Sequence, residues 1–338
     1  MKRYYRPIAQ TDAARPAGAV PLAGGWCWFS HAEVLTRAGS EGLVPVADLP
    51  EEVVARLSAP RAQMADIGFD RPSIMGILNV TPDSFSDGGK FDAPEVALAR
   101  ARALVAAGAD MLDIGGESTR PGALEVPVEE EISRTAPVIA ALRSGGFATP
   151  ISIDTRKAAV AEATLAAGAD LVNDVSAMLF DPAMEAVVAA TQAPVCLMHA
   201  QGLPEGMQAD PRYDNVLLDV YDHLEERLVA AEAAGIARAR VLIDPGIGFG
   251  KTVAHNLALI RGLSLFHGFG CPLLLGVSRK RFIGTIGGAE AADARAPGTL
   301  AVTLAGLAQG AQMHRVHDVA EIAQGVRLFD AITRGYEQ

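Results

Sequence analysis

Short apolar runs alternate with longer, Ala-rich amphipathic stretches through most of this chain, and the alternation begins at Ser73. The apolar runs fall near 74–80, 111–114, 151–154, 171–175, 195–198, 241–244, 273–276 and 313–316, each the length of a buried strand. Stretches such as 94–107 and 158–167 lie between them, and several end at glycine, as helices commonly do. The phrase Ala-Gly-Ala-Asp occurs at 107–110 and again at 167–170, marking the same helix-to-strand turn twice. Eight strands with intervening helices predict an α/β chain folded as a (β/α)8 barrel over residues 73–335. A doubly wound sheet is the runner-up, but it would usually have fewer strands and a Gly-rich first turn. Residues 1–72 stand outside the alternation. Their Pro and Gly turns, the cluster Trp26-Cys27-Trp28-Phe29 and a helical stretch at 49–57 predict an N-terminal extension packed on the barrel.

A barrel gathers its strand ends into one mouth, so those ends are where chemistry is expected. The first run opens into Asn79 and a polar, Gly-flanked loop holding Phe85 and Asp87. The second ends in Asp113 and continues through Glu117, Ser118, Thr119, Arg120 and Pro121. Asp154, Asn173 and Asp244 close the third, fourth and sixth. The seventh gives Ser278 and Lys280, and the eighth Arg315 and His317. A lone strand-end Asp is more often a helix cap than a catalyst, but seven polar ends together are not explained that way. Asp154, Asn173 and Asp244 suit the polar edge of a heterocycle, whereas Arg120, Lys280, Arg315 and His317 suit an anion such as phosphate. Arg315 and His317, two residues apart, share a face; His314 points the other way and reads as structural. Asn79 is an oxygen donor of the kind Mg2+ takes alongside phosphate and water.

Two motifs read as decoys. Pro245 to Thr252 imitates a phosphate-binding loop, but Pro245 stands where the first glycine belongs. His199, after Met198, lacks a second histidine at metal spacing and reads as a satisfied structural group.

Composition narrows the function further. The net charge is −11 with no long basic run, which argues against a nucleic-acid surface and leaves room for local anion sites. Three widely spaced cysteines fit a reducing cytoplasm better than a disulfide framework or zinc site. No apolar run approaches the roughly 20 residues of a membrane span, and the first residues lack the apolar core of a signal peptide.

In order along the chain, NVTPDSFSDGG, DIGGESTRPGA, IDTRK, VNDVSA, DPGIGFGK, SRK and RVHDV resemble dihydropteroate synthase of the folate pathway. The resemblance runs from about Ser73 to about Gly335 and implies a TIM barrel. The implied reaction joins a dihydropterin pyrophosphate to 4-aminobenzoate with Mg2+, releasing pyrophosphate. Carried onto matching positions, it implies that Asp154, Asn173, Asp244 and Lys280 bind the pterin, with Met198 and Phe249 lining its pocket. Asn79 would meet Mg2+ and pyrophosphate, while Arg120, Arg315 and His317 would hold the leaving anion. Thr119, Pro121, Phe85, Asp87 and Ser278 would form the aminobenzoate site, where sulfonamides would compete. Asn79, Asp87, Lys280, Arg315 and His317 are the expected catalytic set. A homodimer is also implied. Ala200 departs from the Met that often follows the strand-five histidine in the family, and the resemblance gives residues 1–72 no role. The alternatives are a pterin-binding methyltransferase barrel, which has little need of the Arg315/His317 anion site, and a catalytically silent pterin-binding subunit.

Overall fold

The computed structural model describes residues 1–80, 93–118, 124–202, 208 and 210–335. Eight parallel strands form one sheet: Ser73–Asn79, Met111–Gly115, Ile151–Asp154, Leu171–Asp174, Val195–Met198, Val241–Asp244, Leu274–Leu275 and Met313–Val316. Each lies beside its sequence neighbour, the eighth returns to pair with the first, and a bridge between Ile243 and Leu273 joins the sixth to the seventh. The eight expected runs are therefore the eight barrel strands, in the expected order. Helices fill the crossovers, from Ala93–Ala107 after the first strand to Val319–Arg334 after the eighth.

The repeated Ala-Gly-Ala-Asp phrase does the same work in both places. Gly108 and Gly168 end their helices at φ +115° and +112°, a region that glycine enters without the penalty a Cβ brings. The following aspartate then turns back to the start of a neighbouring strand. Asp110 accepts from the Ile74 N–H at 2.8 Å, and Asp170 from the Ile151 N–H at 2.7 Å.

Strand alternation divides the barrel interior into two tiers. Met75, Met111, Leu171, Cys196, Leu242, Leu274 and Met313 form an apolar floor. One pleat higher, these strands present Asp113, Asn173, Met198, Asp244 and Arg315; the third strand adds Asp154, and Asn79 stands one step further up the first. The side chains that point outward, including Ile114, Ile153, Val172, Leu197, Ile243 and Val316, join a second core beneath the helices.

Residues 1–72 are built into this body. A three-stranded antiparallel sheet, Tyr4–Pro7, His31–Thr36 and Gly39–Pro45, packs against residues 263–269, as does the helix Glu51–Ser58. Specific bonds fix the contact: Trp26 donates to the Leu307 carbonyl at 2.8 Å, Ser264 to the Pro7 carbonyl at 2.8 Å and Tyr4 to Asp222 at 2.9 Å. Downstream, Met64, Ile67 and Phe69 insert into the floor cluster and stop the barrel from below. Burying each such side chain is worth about 1.5–3 kcal/mol. Ala65 and Asp66, both at positive φ, make the tight turn that aims Met64 and Ile67 inward.

Candidate active site

The upper tier holds a charged cluster made by residues far apart in the chain. Asp113 is fully buried, and Asp154 is 6% exposed. Arg315 reaches between them, with Nε on Asp113 and one terminal nitrogen on Asp154 at 2.6 Å. Asn173 donates to the same Asp113 oxygen at 3.2 Å. The remaining oxygens of both aspartates, Asp113 Oδ1 and Asp154 Oδ1, have no protein partner. Burial pushes the Asp154 carboxyl up to about 7, with Arg315 pulling it down and Asp113 adding to the rise. Near neutrality, then, Asp154 sits close to the point where it gains or loses a proton. That a buried carboxyl of this kind lines a cleft is a physical mark of a functional site.

Asp244 is held differently. One oxygen accepts from the Gly246 N–H at 2.7 Å, which orients the carboxylate and leaves its other oxygen toward the interior. Burial raises this group to about 6, against the Gly246 bond and the positive charges of Lys280, Lys251 and Arg315. Its loop packs tightly on the end of strand five. A Cβ on Gly246 would lie 1.8 Å from the His199 carbonyl oxygen, and Gly246 has φ +69°. Only glycine fits there, so the phosphate-loop-like pattern here is a close-approach device. Three residues on, Phe249 lies beneath Lys280, whose Nζ is 3.9 Å from the ring centroid.

The seventh strand end turns sharply. Arg279 takes φ +59°, a conformation costing about 1–2 kcal/mol for a residue with a Cβ. It is held there from several sides: its N–H donates to Thr299 Oγ1 at 3.1 Å, its guanidinium pairs with Asp318, and its carbonyl accepts from Arg295 at 2.9 Å. This turn sets Lys280 over Phe249. Ser278, just before it, accepts from the His317 N–H at 3.1 Å and lies 3.0 Å from His317 Nδ1, linking the last two strand ends.

The sequence-expected residues Asn79, Asp154, Asn173, Met198, Asp244, Phe249, Ser278, Lys280, Arg315 and His317 are thus all at one mouth, or at its rim. Phe85, Asp87, Thr119, Arg120 and Pro121 lie outside the described residues. One expectation changes in substance: heterocycle acceptors and anion-binding cations do not form separate sets, because Arg315 is already shared by Asp113 and Asp154. Asp113, the central acceptor, received no role from the sequence; its place at a strand end was the available signal. His199 and His314 are structural, as expected. His314 is fully buried and lies 3.1 Å from the Ala311 carbonyl, and Lys251 contacts His199.

A second buried network supports the rim. Glu117 meets Lys157 and, at 3.0 Å, Arg156; Lys157 also meets Glu131 at 2.7 Å. Val126 is tied in through both peptide groups, its N–H to Glu117 at 2.8 Å and its carbonyl to Lys157 at 2.6 Å. These charges neutralise one another and are spoken for.

The donors fit a metal only in a limited way. No group of three or more His, Cys, Asp or Glu side chains among the described residues is arranged to hold an ion. Asp113 and Asp154 each commit an oxygen to Arg315. Asn79 offers a neutral carboxamide at the rim, which suits a hard cation that arrives with phosphate and needs one protein oxygen.

Comparison with known proteins gives this geometry a family. The family model for pterin binding enzymes matches residues 75–317. Dihydropteroate synthase of Neisseria meningitidis serogroup C is 47% identical over 270 residues, spanning 79% of this chain and 95% of that protein. The Escherichia coli K12 protein of that name is 44% identical over 270 residues, with 80% and 95% covered. Among solved structures, Xanthomonas albilineans dihydropteroate synthase in complex with 7,8-dihydropteroate aligns with TM-score 0.73 and 44% identity, covering 81% and 98% of the two chains. The same enzyme with 4-aminobenzoic acid aligns with TM-score 0.75 and 46% identity, again over 81% and 98%. Such identity is held over nearly the whole length of these relatives, and the chain belongs to the dihydropteroate synthase family of pterin-binding enzymes.

Proposed function

We propose that this protein condenses 6-hydroxymethyl-7,8-dihydropterin pyrophosphate with 4-aminobenzoate, giving 7,8-dihydropteroate and pyrophosphate. The observation that carries the reading is the arrangement of Asp154, Asn173 and Asp244 at strand ends above an apolar floor, beside Lys280 stacked on Phe249. A pterin is flat, apolar on its faces and rich in N–H and carbonyl groups along one edge. The carboxylates accept from its amino and ring N–H groups, Asn173 and Lys280 donate, and Met198 and Phe249 pack its faces.

The chemistry follows from where charge must develop. The arylamine is neutral at pH 7 and a modest nucleophile, so departure of pyrophosphate is the harder half. As that bond breaks, positive charge grows on the methylene carbon and spreads into the ring. Asp244, ionised near neutrality, and the Asp113–Asp154 pair face that charge from a buried site, where a preorganised field acts strongly. His317 and Arg120 would take the departing anion from the rim. Arg315 has five N–H donors and uses two on aspartates, so its edge can add to the anion site while its charge is partly compensated. Mg2+ held through Asn79 and the pyrophosphate would neutralise charge on the leaving group. Phe85, Asp87, Thr119, Pro121 and Ser278 would shape the aminobenzoate subsite.

The reading includes a homodimer working in the cytoplasm. Three buried, unpaired cysteines support a reducing compartment, and no helix among the described residues is long and apolar enough to cross a membrane. The direct test incubates purified protein with the dihydropterin pyrophosphate, labelled 4-aminobenzoate and Mg2+. Labelled dihydropteroate supports the assignment, and its absence from folded protein sinks it.

A further inference from the structure

Lys251 is a deeply buried cation near the mouth that this mechanism does not use. It closes the loop that starts at Asp244, yet its ammonium is buried among protein acceptors. Its side chain is 3% exposed as a residue, and its Nζ has three acceptors: His199 Nδ1 at 2.9 Å, the Phe249 carbonyl at 2.9 Å and the His199 carbonyl at 3.3 Å. Three acceptors match the three N–H groups of an ammonium. Burial pushes Lys251 well below the ordinary lysine range, and Asp244 works against that push. His199 suits this partner, because burial and the charges of Lys251 and His223 lower its ring to about 2 and keep it neutral, and in the tautomer protonated at Nε2 its Nδ1 accepts. The neighbouring loop adds its own ties: Tyr213 donates to the Gly250 carbonyl at 2.8 Å.

We propose that Lys251 is a positioning residue for the pterin subsite, joining the end of strand five to the Phe249 peptide and so setting the Phe249–Lys280 pair and the Asp244 carboxylate for a flat heterocycle. Two independent features meet in it. Mechanically, it fixes the carbonyl of the very residue whose ring supports Lys280, and it does so from the strand end that Gly246 touches. Electrostatically, it is one of three cations facing Asp244, with Lys280 and Arg315; the Gly246 N–H also faces the carboxylate, and the Cys196 thiol lies nearby. A merely structural lysine would hold the loop without affecting the ionisation of a ligand-binding carboxylate.

This inference rests on the functional reading above. The test compares wild type with Lys251→Met, which keeps the stem and removes the charge, in steady-state kinetics over a range of pH. We expect KM for the dihydropterin pyrophosphate to rise about tenfold, since a small misplacement of a binding group has costs of that order. KM for 4-aminobenzoate stays within about twofold, the two substrates using different walls of the mouth. The acid limb of kcat/KM for the pterin moves to higher pH, because losing a cation raises the Asp244 carboxyl. Equal rises in both KM values, or an unmoved acid limb, would overturn the proposal. If Lys251→Met does not fold, His199→Ala, which keeps the lysine and removes one acceptor, must show the same pterin-selective rise, and its absence is equally fatal. A wild type that makes no dihydropteroate removes the functional reading first and this inference with it.

Discussion

Replacing Arg315 with Ala gives the sharpest test of the mouth, because it strips the cation from between two buried carboxylates. Asp113 is fully buried and Asp154 nearly so, and both lose a charged hydrogen-bond donor. Breaking one side of a buried pair costs about 3–5 kcal/mol. The pH dependence separates this cause from loss of packing. In the wild type, burial raises the Asp154 carboxyl to about 7, well above the ordinary aspartate range, so ionising it costs stability as pH rises toward that value. The carboxyl is raised, so its contribution is favourable at low pH and lost at high pH, the reverse of a salt-bridged aspartate with a lowered value. Without Arg315 the Asp154 carboxyl loses the charge that pulls it down and keeps its proton to higher pH, so the cost continues to climb above pH 7. Each extra proton held by the folded state is worth about 1.4 kcal/mol per pH unit. The wild type already holds that proton for about half of the interval, so the destabilisation relative to it should grow by about 1–1.5 kcal/mol between pH 6 and pH 8. Urea unfolding of the unliganded proteins across that range measures it. A difference that is flat in pH, or larger at pH 6, would refute the charge argument, whatever happens to activity.

Two further outcomes follow from sites away from the reaction. Lys157→Met leaves Glu131 without its cation and Glu117 with Arg156 alone, so the protein should lose about 3–5 kcal/mol in urea unfolding; a loss below about 1 kcal/mol would mean the network relaxes or hydrates. Ala65→Gly relieves a residue held at φ +47°, and should gain about 0.5–1 kcal/mol after the entropy of the freer chain is counted, measurable as a higher urea midpoint. A lower midpoint for that variant would show that the turn tolerates Ala without strain.

The barrel was legible because buried parallel strands write themselves as apolar runs, and because each run here stops at a polar residue. Asp154, Asn173 and Asp244 could be picked out for that reason. What could not be read was the pairing. Arg315 lies 202 residues from Asp113 and 161 from Asp154, and only the closed barrel brings them together. Lys251 was hidden for another reason: a lysine after a glycine-rich loop has one sequence signature whether it faces a phosphate or is buried beneath the loop. The N-terminal sheet did leave a trace. His31–Thr36 alternates exposed or half-buried positions with buried ones, the period of a strand, but so short a signal is easily lost among Gly and Pro turns. Helix Glu51–Ser58 was clearer, falling almost wholly within the stretch expected at 49–57.

The stopper formed by Met64, Ile67 and Phe69 makes the barrel a vessel closed at its floor. Among the described residues, the approach to Asn173 and Asp244 is then from the strand-end side, and whatever settles deepest must leave last. A heterocycle on the floor becomes, in effect, the seat on which the second substrate lands. The residues that enforce this order of entry and exit lie upstream of 75–317, the segment that carries the family's signature.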